Sequence, residues 1–282
     1  MSEKLLWDRL QVELTERVAG FAGVAGLCIK DLTTGCQVAV NADEEFPTAS
    51  AIKAPILARM FRLAEAGKLD LSRRVQLTED LKVPGSGVIT YFDDVAELTV
   101  RDIAVLMIIV SDNTATNLCI DWATYEGTNA LLRELGITRT TLRRKMQDHV
   151  AVERGEENLA TPAELVQFYE ALFRPEKLSR YVCEETIKVL KKRKRSQFAQ
   201  GLPPDVVLAG KPGGMDNVRT DAGIVYLDRR PYAMCVMTKY GMCLPSEQEQ
   251  FVAGVARTVH RHMSTLAVTS VHGQGLPPQF RK

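Results

Sequence analysis

A chain of 282 residues, 45% hydrophobic and 25% charged, has ordinary globular composition and can bury a core for one or two domains. Its 36 basic and 35 acidic residues leave a net charge of +1, so no global field gathers nucleic acid or an anionic membrane. No apolar run reaches the roughly 18 residues that a membrane span needs.

The first 20 residues place Leu6, Leu10, Leu14 and Val18 at every fourth position among charges. That is an amphipathic helix rather than a secretory h-region, and the chain is expected to be cytoplasmic. Val24–Lys30 and Gln37–Asn41 then read as strands joined by the turn Thr33-Thr34-Gly35. Ile52, Ile56, Met60 and Leu63 mark one face of a helix that Gly67 ends, and residues 84–87 (Pro-Gly-Ser-Gly) form a loop. Thr99 with Asp102 opens an apolar helix through Val110, Thr128 opens another that Gly136 stops, and Thr161-Pro162 with Glu164 caps a third. A further helix is expected from Ser179 to about Arg195. Its basic end, Lys191–Arg195, complements the helix dipole, and without interleaved aromatics it reads as solvated rather than nucleic-acid binding. Strands return at Val206–Ala209, Ala222–Leu227 and Tyr232–Thr238. A last helix is expected from a capping box of Ser246 and Glu249.

The pattern predicts a mixed α/β (α+β) fold, with an antiparallel sheet built from both chain ends and flanked by the terminal helices. Residues 1–45 and 200–265 would form this sheet domain, residues 46–199 an all-helical domain, and residues 266–282 a disordered tail. Six cysteines lack metal-ligand spacing and are expected to be free thiols, with Cys28 and Cys36 able to face each other across a hairpin.

Three short elements carry chemistry. Ser50-Ala51-Ile52-Lys53 sets a lysine three residues after a serine, on one side of a helix start. A serine hydroxyl needs a base to take its proton, and a lysine serves only when its pKa is depressed. Ser111-Asp112-Asn113 follows the apolar stretch 106–110 and supplies a hydroxyl to relay a proton and an amide to grip a carbonyl. Lys211-Pro212-Gly213-Gly214 follows a strand, where glycines let a substrate approach the backbone. Lys239-Tyr240-Gly241 is a competing version of that element, placed where an exit loop is expected.

Together the three resemble the Ser-x-x-Lys, Ser-Asp-Asn and Lys-Thr-Gly set of class A β-lactamases and penicillin-binding proteins. The resemblance runs from about Val24 to Met263 and includes Phe46-Pro47-Thr48-Ala49, the stretch 111–117 and Thr161-Pro162-Ala163. It implies acylation of Ser50, with Lys53 as base, Ser111 as proton donor to the leaving group and Lys211 holding Ser111. It also implies an oxyanion hole from the N–H groups of Ser50 and Gly214, with Gly213 beside it. Asn113 would bind the substrate amide, and Arg219 a substrate carboxylate. The substrate would be a small molecule, a β-lactam, amide or ester, with no cofactor and no metal.

Two departures stand out. The family's deacylating Ω-loop Glu has no counterpart in residues 143–149, where Gln147 or Asp148 is nearest; Glu153, Glu156 and Glu157 read as a solvated turn. Pro212 replaces the Thr or Ser of Lys-Thr-Gly and offers neither hydroxyl nor N–H. Slow deacylation is therefore expected. A non-hydrolytic ligand binder and a D,D-peptidase are the alternative readings.

Overall fold

A computed structural model describes residues 2–270 and 272–277. In chain order the elements are α1 (Ser2–Ala19), β1 (Val24–Asp31), β2 (Gln37–Val40), β3 (Phe46–Pro47), α2 (Lys53–Glu65), β4 (Arg74–Leu77) and β5 (Ala96–Thr99). There follow α3 (Val100–Ile109), α4 (Asn113–Ala123), α5 (Tyr125–Glu134), α6 (His149–Glu153), β6 (Leu159–Ala160), α7 (Pro162–Phe173), α8 (Arg180–Leu190) and α9 (Gln197–Gly201). The chain closes with β7 (Val207–Met215), β8 (Val218–Tyr226), β9 (Tyr232–Lys239) and α10 (Pro245–Val268).

The main sheet has the order β2-β1-β9-β8-β7, and all its pairings are antiparallel. Both chain ends build it, as the sequence predicts. It is buried on both faces. On one, Leu27, Ile29 and Val236 meet Leu10 and Leu14 of α1 and Val252, Val255 and Val259 of α10. On the other, Cys28, Ala222, Ile224 and Cys235 join the helical core through Phe168 and Tyr169 of α7. Double burial explains why β9 reads Tyr-Ala-Met-Cys-Val-Met-Thr without polar alternation, with all seven residues buried. Each large apolar side chain so enclosed contributes about 1.5–3 kcal/mol.

Differences from the sequence reading have local causes. The middle region is not purely helical, because β3 pairs with β6 and β4 with β5 in two-stranded sheets too short to show a periodicity. Thr124, not Thr128, caps α5 by accepting from the Gly127 N–H at 3.0 Å, and Thr128 is buried inside the helix. Helix α8 stops at Leu190, where the Lys194 ammonium turns back to donate to the Leu190 and Lys192 carbonyls. Helix α10 starts at Pro245, and Glu247 accepts from the Leu244 N–H at 2.7 Å, so Ser246 and Glu249 are not its cap. It continues to Val268, and Thr269 then bridges to Gly275, which gives order to the start of the expected tail; residues 271 and 278–282 lie outside the described residues. Cys28 faces Ala39 on β2 and Cys235 on β9, while Cys36 is exposed; all six cysteines are free.

Candidate active site

The site forms where the 3-10 turn Ala49–Ile52, the α3–α4 junction and edge strand β7 converge. Ser50 lies in that turn and Lys53 opens α2, so the two are one 3-10 turn apart and share a side. Two non-glycine residues take left-handed backbone here: Ala49, φ 44°, just before Ser50, and Ser111, φ 57°, between α3 and α4. Such conformations persist where surrounding bonds over-determine them, and they aim both serines.

Lys53 is fully buried. Its ammonium nitrogen lies 2.8 Å from the Ser111 carbonyl, 3.0 Å from Ser111 Oγ and 3.3 Å from Asn113 Oδ1. Lys211 Nζ reaches the same Ser111 Oγ at 3.2 Å and its neighbour's carbonyl, Pro212 O, at 2.7 Å. The structure thus brings Lys53, Ser111 and Lys211 together on one hydroxyl. Among the described residues the Ser50 hydroxyl makes no hydrogen bond, so the lysine contacts run to Ser111 rather than to Ser50. Burial, reinforced by the charge of Lys211, holds the Lys53 amine well below the ordinary lysine value. Burial likewise brings Lys211 down to about 7, against the opposing charge of Asp221. Lys239, the competing lysine, sits instead on Glu44 and the Glu45 carbonyl.

Asp112 is structural. Its Oδ1 caps α4 through the Ala115 N–H at 2.9 Å, and its Oδ2 accepts from Val88 and Ile89 at 2.7 and 2.9 Å. This pins the loop over residues 84–89. Gly87 makes it possible, with φ 126° and a would-be Cβ only 2.1 Å from Asp112 Oδ2. Asn113 donates one amide proton to Pro84 O at 3.0 Å and accepts from Lys53, which leaves its second amide proton for a ligand.

On β7, a Cβ at Gly213 would lie 2.7 Å from the Ser50 nitrogen, so only glycine lets the strand close onto the turn. Gly214 lines the cleft next to it. Pro212 is tolerated because β7 is an edge strand. Arg219 corrects the sequence reading. It pairs with Gly214 across the hairpin, on the opposite face from Gly213, and its guanidinium meets Glu249 of α10 at 3.6 Å. It also donates to Met215 O and Val218 O at 2.9 and 2.8 Å and does not line the cleft.

The cleft holds about 540 Å³ and is bounded by Ser50, Asn113, Gly214 and the segment 144–149. That segment is clamped at Arg144 and at Met146. Arg144 meets Glu157 bidentately at 3.0 and 2.9 Å, so Glu157 is a buttress rather than part of a solvated turn. Asn117 exchanges two bonds with the Met146 backbone, 2.8 and 3.2 Å. The side chains it presents are Met146, Gln147, Asp148 and His149. Asp148 already caps α6 through the Ala151 N–H at 3.0 Å.

Behind Lys211 lies a group that the sequence reading missed. Asp221 is fully buried, accepts from Ser196 Oγ at 2.6 Å and Phe198 N at 3.0 Å, and leaves Oδ1 unpartnered. Burial raises its carboxyl to about 6. Its only sequence signal is an acid directly before the apolar run 222–226 of β8.

The beta-lactamase enzyme family profile matches residues 9–263. A beta-lactamase of Streptomyces fradiae is 32% identical over 221 residues, covering 71% of this chain and 68% of its own. The beta-lactamase regulatory protein BlaB of Streptomyces cacaoi is 23% identical over 278 residues, covering 81% and 89%. The crystal structure of a beta-lactamase from Sphaerobacter thermophilus superposes with a TM-score of 0.84 at 28% identity, covering 91% of this chain and 97% of its own. Fold, motif order and relatives agree: the chain belongs to the beta-lactamase enzyme family.

Proposed function

We propose that this protein is an acyl-serine hydrolase that attacks β-lactams or small amides and esters through Ser50 and releases the acyl group slowly. The observation that carries the reading is the Lys53–Ser111–Lys211 network beside the Ser50 cleft. A pure binding protein has no need of two buried lysines converging on one hydroxyl. A Lys53 amine held well below its ordinary value can serve as the base that takes the Ser50 proton. Ser111 Oγ, held by both lysines, then hands a proton to the leaving nitrogen or oxygen as the bond to the acyl carbon breaks. The N–H groups of Ser50 and Gly214 receive the oxyanion.

Deacylation needs a base on the water side. The pinned loop carries no glutamate: it offers Met146, which is no base, Gln147, which cannot take a proton, Asp148, whose Oδ1 is committed to a helix cap, and the imidazole of His149. Without the family's carboxylate in that place, the acyl-enzyme accumulates.

Intact-protein mass spectrometry with benzylpenicillin and with a fluorophosphonate tests both parts. Adducts should form on the wild type and not on Ser50→Ala, and the penicillin adduct should outlast a rapid burst. Labelling that survives Ser50→Ala refutes the nucleophile, and fast steady turnover without adduct refutes slow deacylation. The regulatory relative favours a second reading, a non-hydrolytic ligand sensor, which absence of any Ser50 adduct would select.

A further inference from the structure

We infer that the Ser50 cleft selects substrates that are neutral on the leaving-group side over those carrying a free carboxylate there. This rests on the acyl-serine reading above and assigns its substrate class. A carboxylate bound in a cleft needs a free cation or an array of donors. Here the two arginines, Lys211 and the motif position at residue 212 are withdrawn. Arg219, on β8, lies on the sheet face opposite Gly213, committed to Glu249 and two carbonyls. Arg144 lines the cleft, but its fork is filled by Glu157. Lys211 is 1% exposed and spends its contacts on Ser111 and Pro212 O. Pro212 supplies neither hydroxyl nor N–H.

Two carboxylates of the cleft remain unpaired. Asp148 and Asp216 both line the cleft, and among the described residues neither has an ion-pair partner. Asp216 is exposed at the tip of the β7–β8 hairpin, next to Gly214 and Met215. An incoming carboxylate therefore meets the like charge of Asp148 and Asp216, whereas a neutral ester or amide of the same shape loses nothing on entry.

A matched pair of activated substrates tests this: phenylacetyl thioglycolate, whose leaving thiol bears a carboxylate, and its methyl ester. Ser50→Ala supplies the background for each. The ester should show kcat/KM about threefold or more above the acid at low salt, and the gap should narrow as salt screens the repulsion. Asp216→Asn should raise the acid relative to the ester by about twofold or more. Pro212→Thr, which returns a hydroxyl and an N–H, should move the ratio the same way. Faster turnover of the acid by the wild type overturns the inference and leaves the acyl-serine reading standing. Absence of Ser50-dependent turnover of either compound overturns that reading and the inference with it. An unchanged ratio in both variants overturns the assignment of selectivity to this end of the cleft.

Discussion

Replacing Lys211 with methionine should make the protein more stable at neutral pH while it removes the grip on Ser111. The lysine is buried and titrates near 7 in the folded chain, against 10.5 when exposed. Between those values the unfolded chain binds more protons than the folded one, so stability rises with pH across the window. Its contribution is full above 10.5, falls as pH drops toward 7 and is level below. At about 1.4 kcal/mol per unit, the burden carried at pH 7 is on the order of 5 kcal/mol. Methionine fills similar volume without charge, and the loss of the bonds to Ser111 Oγ and Pro212 O costs about 1 kcal/mol each. A net gain of about 3 kcal/mol at pH 7 is expected, shrinking by about 1.4 kcal/mol per unit toward pH 10. Urea unfolding of both proteins from about pH 8 to about pH 10 measures this slope clear of Asp221, which titrates near 6. Parallel stability profiles would refute the depressed lysine and the charge-state argument built on it.

Asp221→Asn tests the opposite sign. Its carboxyl is raised from 3.8 to about 6, so its contribution is full below 3.8 and lost as pH rises through 6. The asparagine variant should gain on the order of 3 kcal/mol relative to wild type over that interval, read from urea midpoints. Gly87→Ala would drive a methyl into Asp112 and force an alanine to φ 126°. A loss of about 2 kcal/mol or more is expected by thermal unfolding, with slower Ser50 labelling as Asp112 shifts. Arg144→Ala leaves Glu157 without its bidentate partner and should free the segment 143–158. Faster proteolytic nicking confined to that segment, with slower acylation, is the expected readout.

The sheet was legible because its residues leave little choice. Doubly buried strands such as Tyr232–Lys239 are continuous apolar runs, and α1 shows its Leu10, Leu14 and Val18 stripe without ambiguity. The motif serines and lysines were legible as local spacings, but not that Lys53 as well as Lys211 would reach Ser111 Oγ. What stayed hidden depends on contacts between distant segments. Strand parity puts Arg219 on the face away from Ser50, but its partner Glu249 lies on a helix 30 residues later, where periodicity gives no hint. Glu157 reads as a turn acid until Arg144 is seen to close on it. Asp221 could be flagged as anomalous, yet its bonds to Ser196 and Phe198 come from the start of α9, more than 20 residues earlier in the chain.

The pairing of β1 with β9 sets a clock on synthesis. Strand β1 is complete at Asp31, and its neighbour Tyr232–Lys239 is translated about 200 residues later. At about 5–20 residues per second, the first strand waits roughly 10–40 s for the partner that makes it central. Until then β1 has only the short β2 beside it, and Leu27 and Ile29 have no β9 or α10 to cover them. Lys211 arrives in the same late stretch, so a nascent chain carries Lys53 and Ser111 before the second lysine reaches that hydroxyl. The two-lysine network on Ser111 is thereby completed only when the last strands have joined the first.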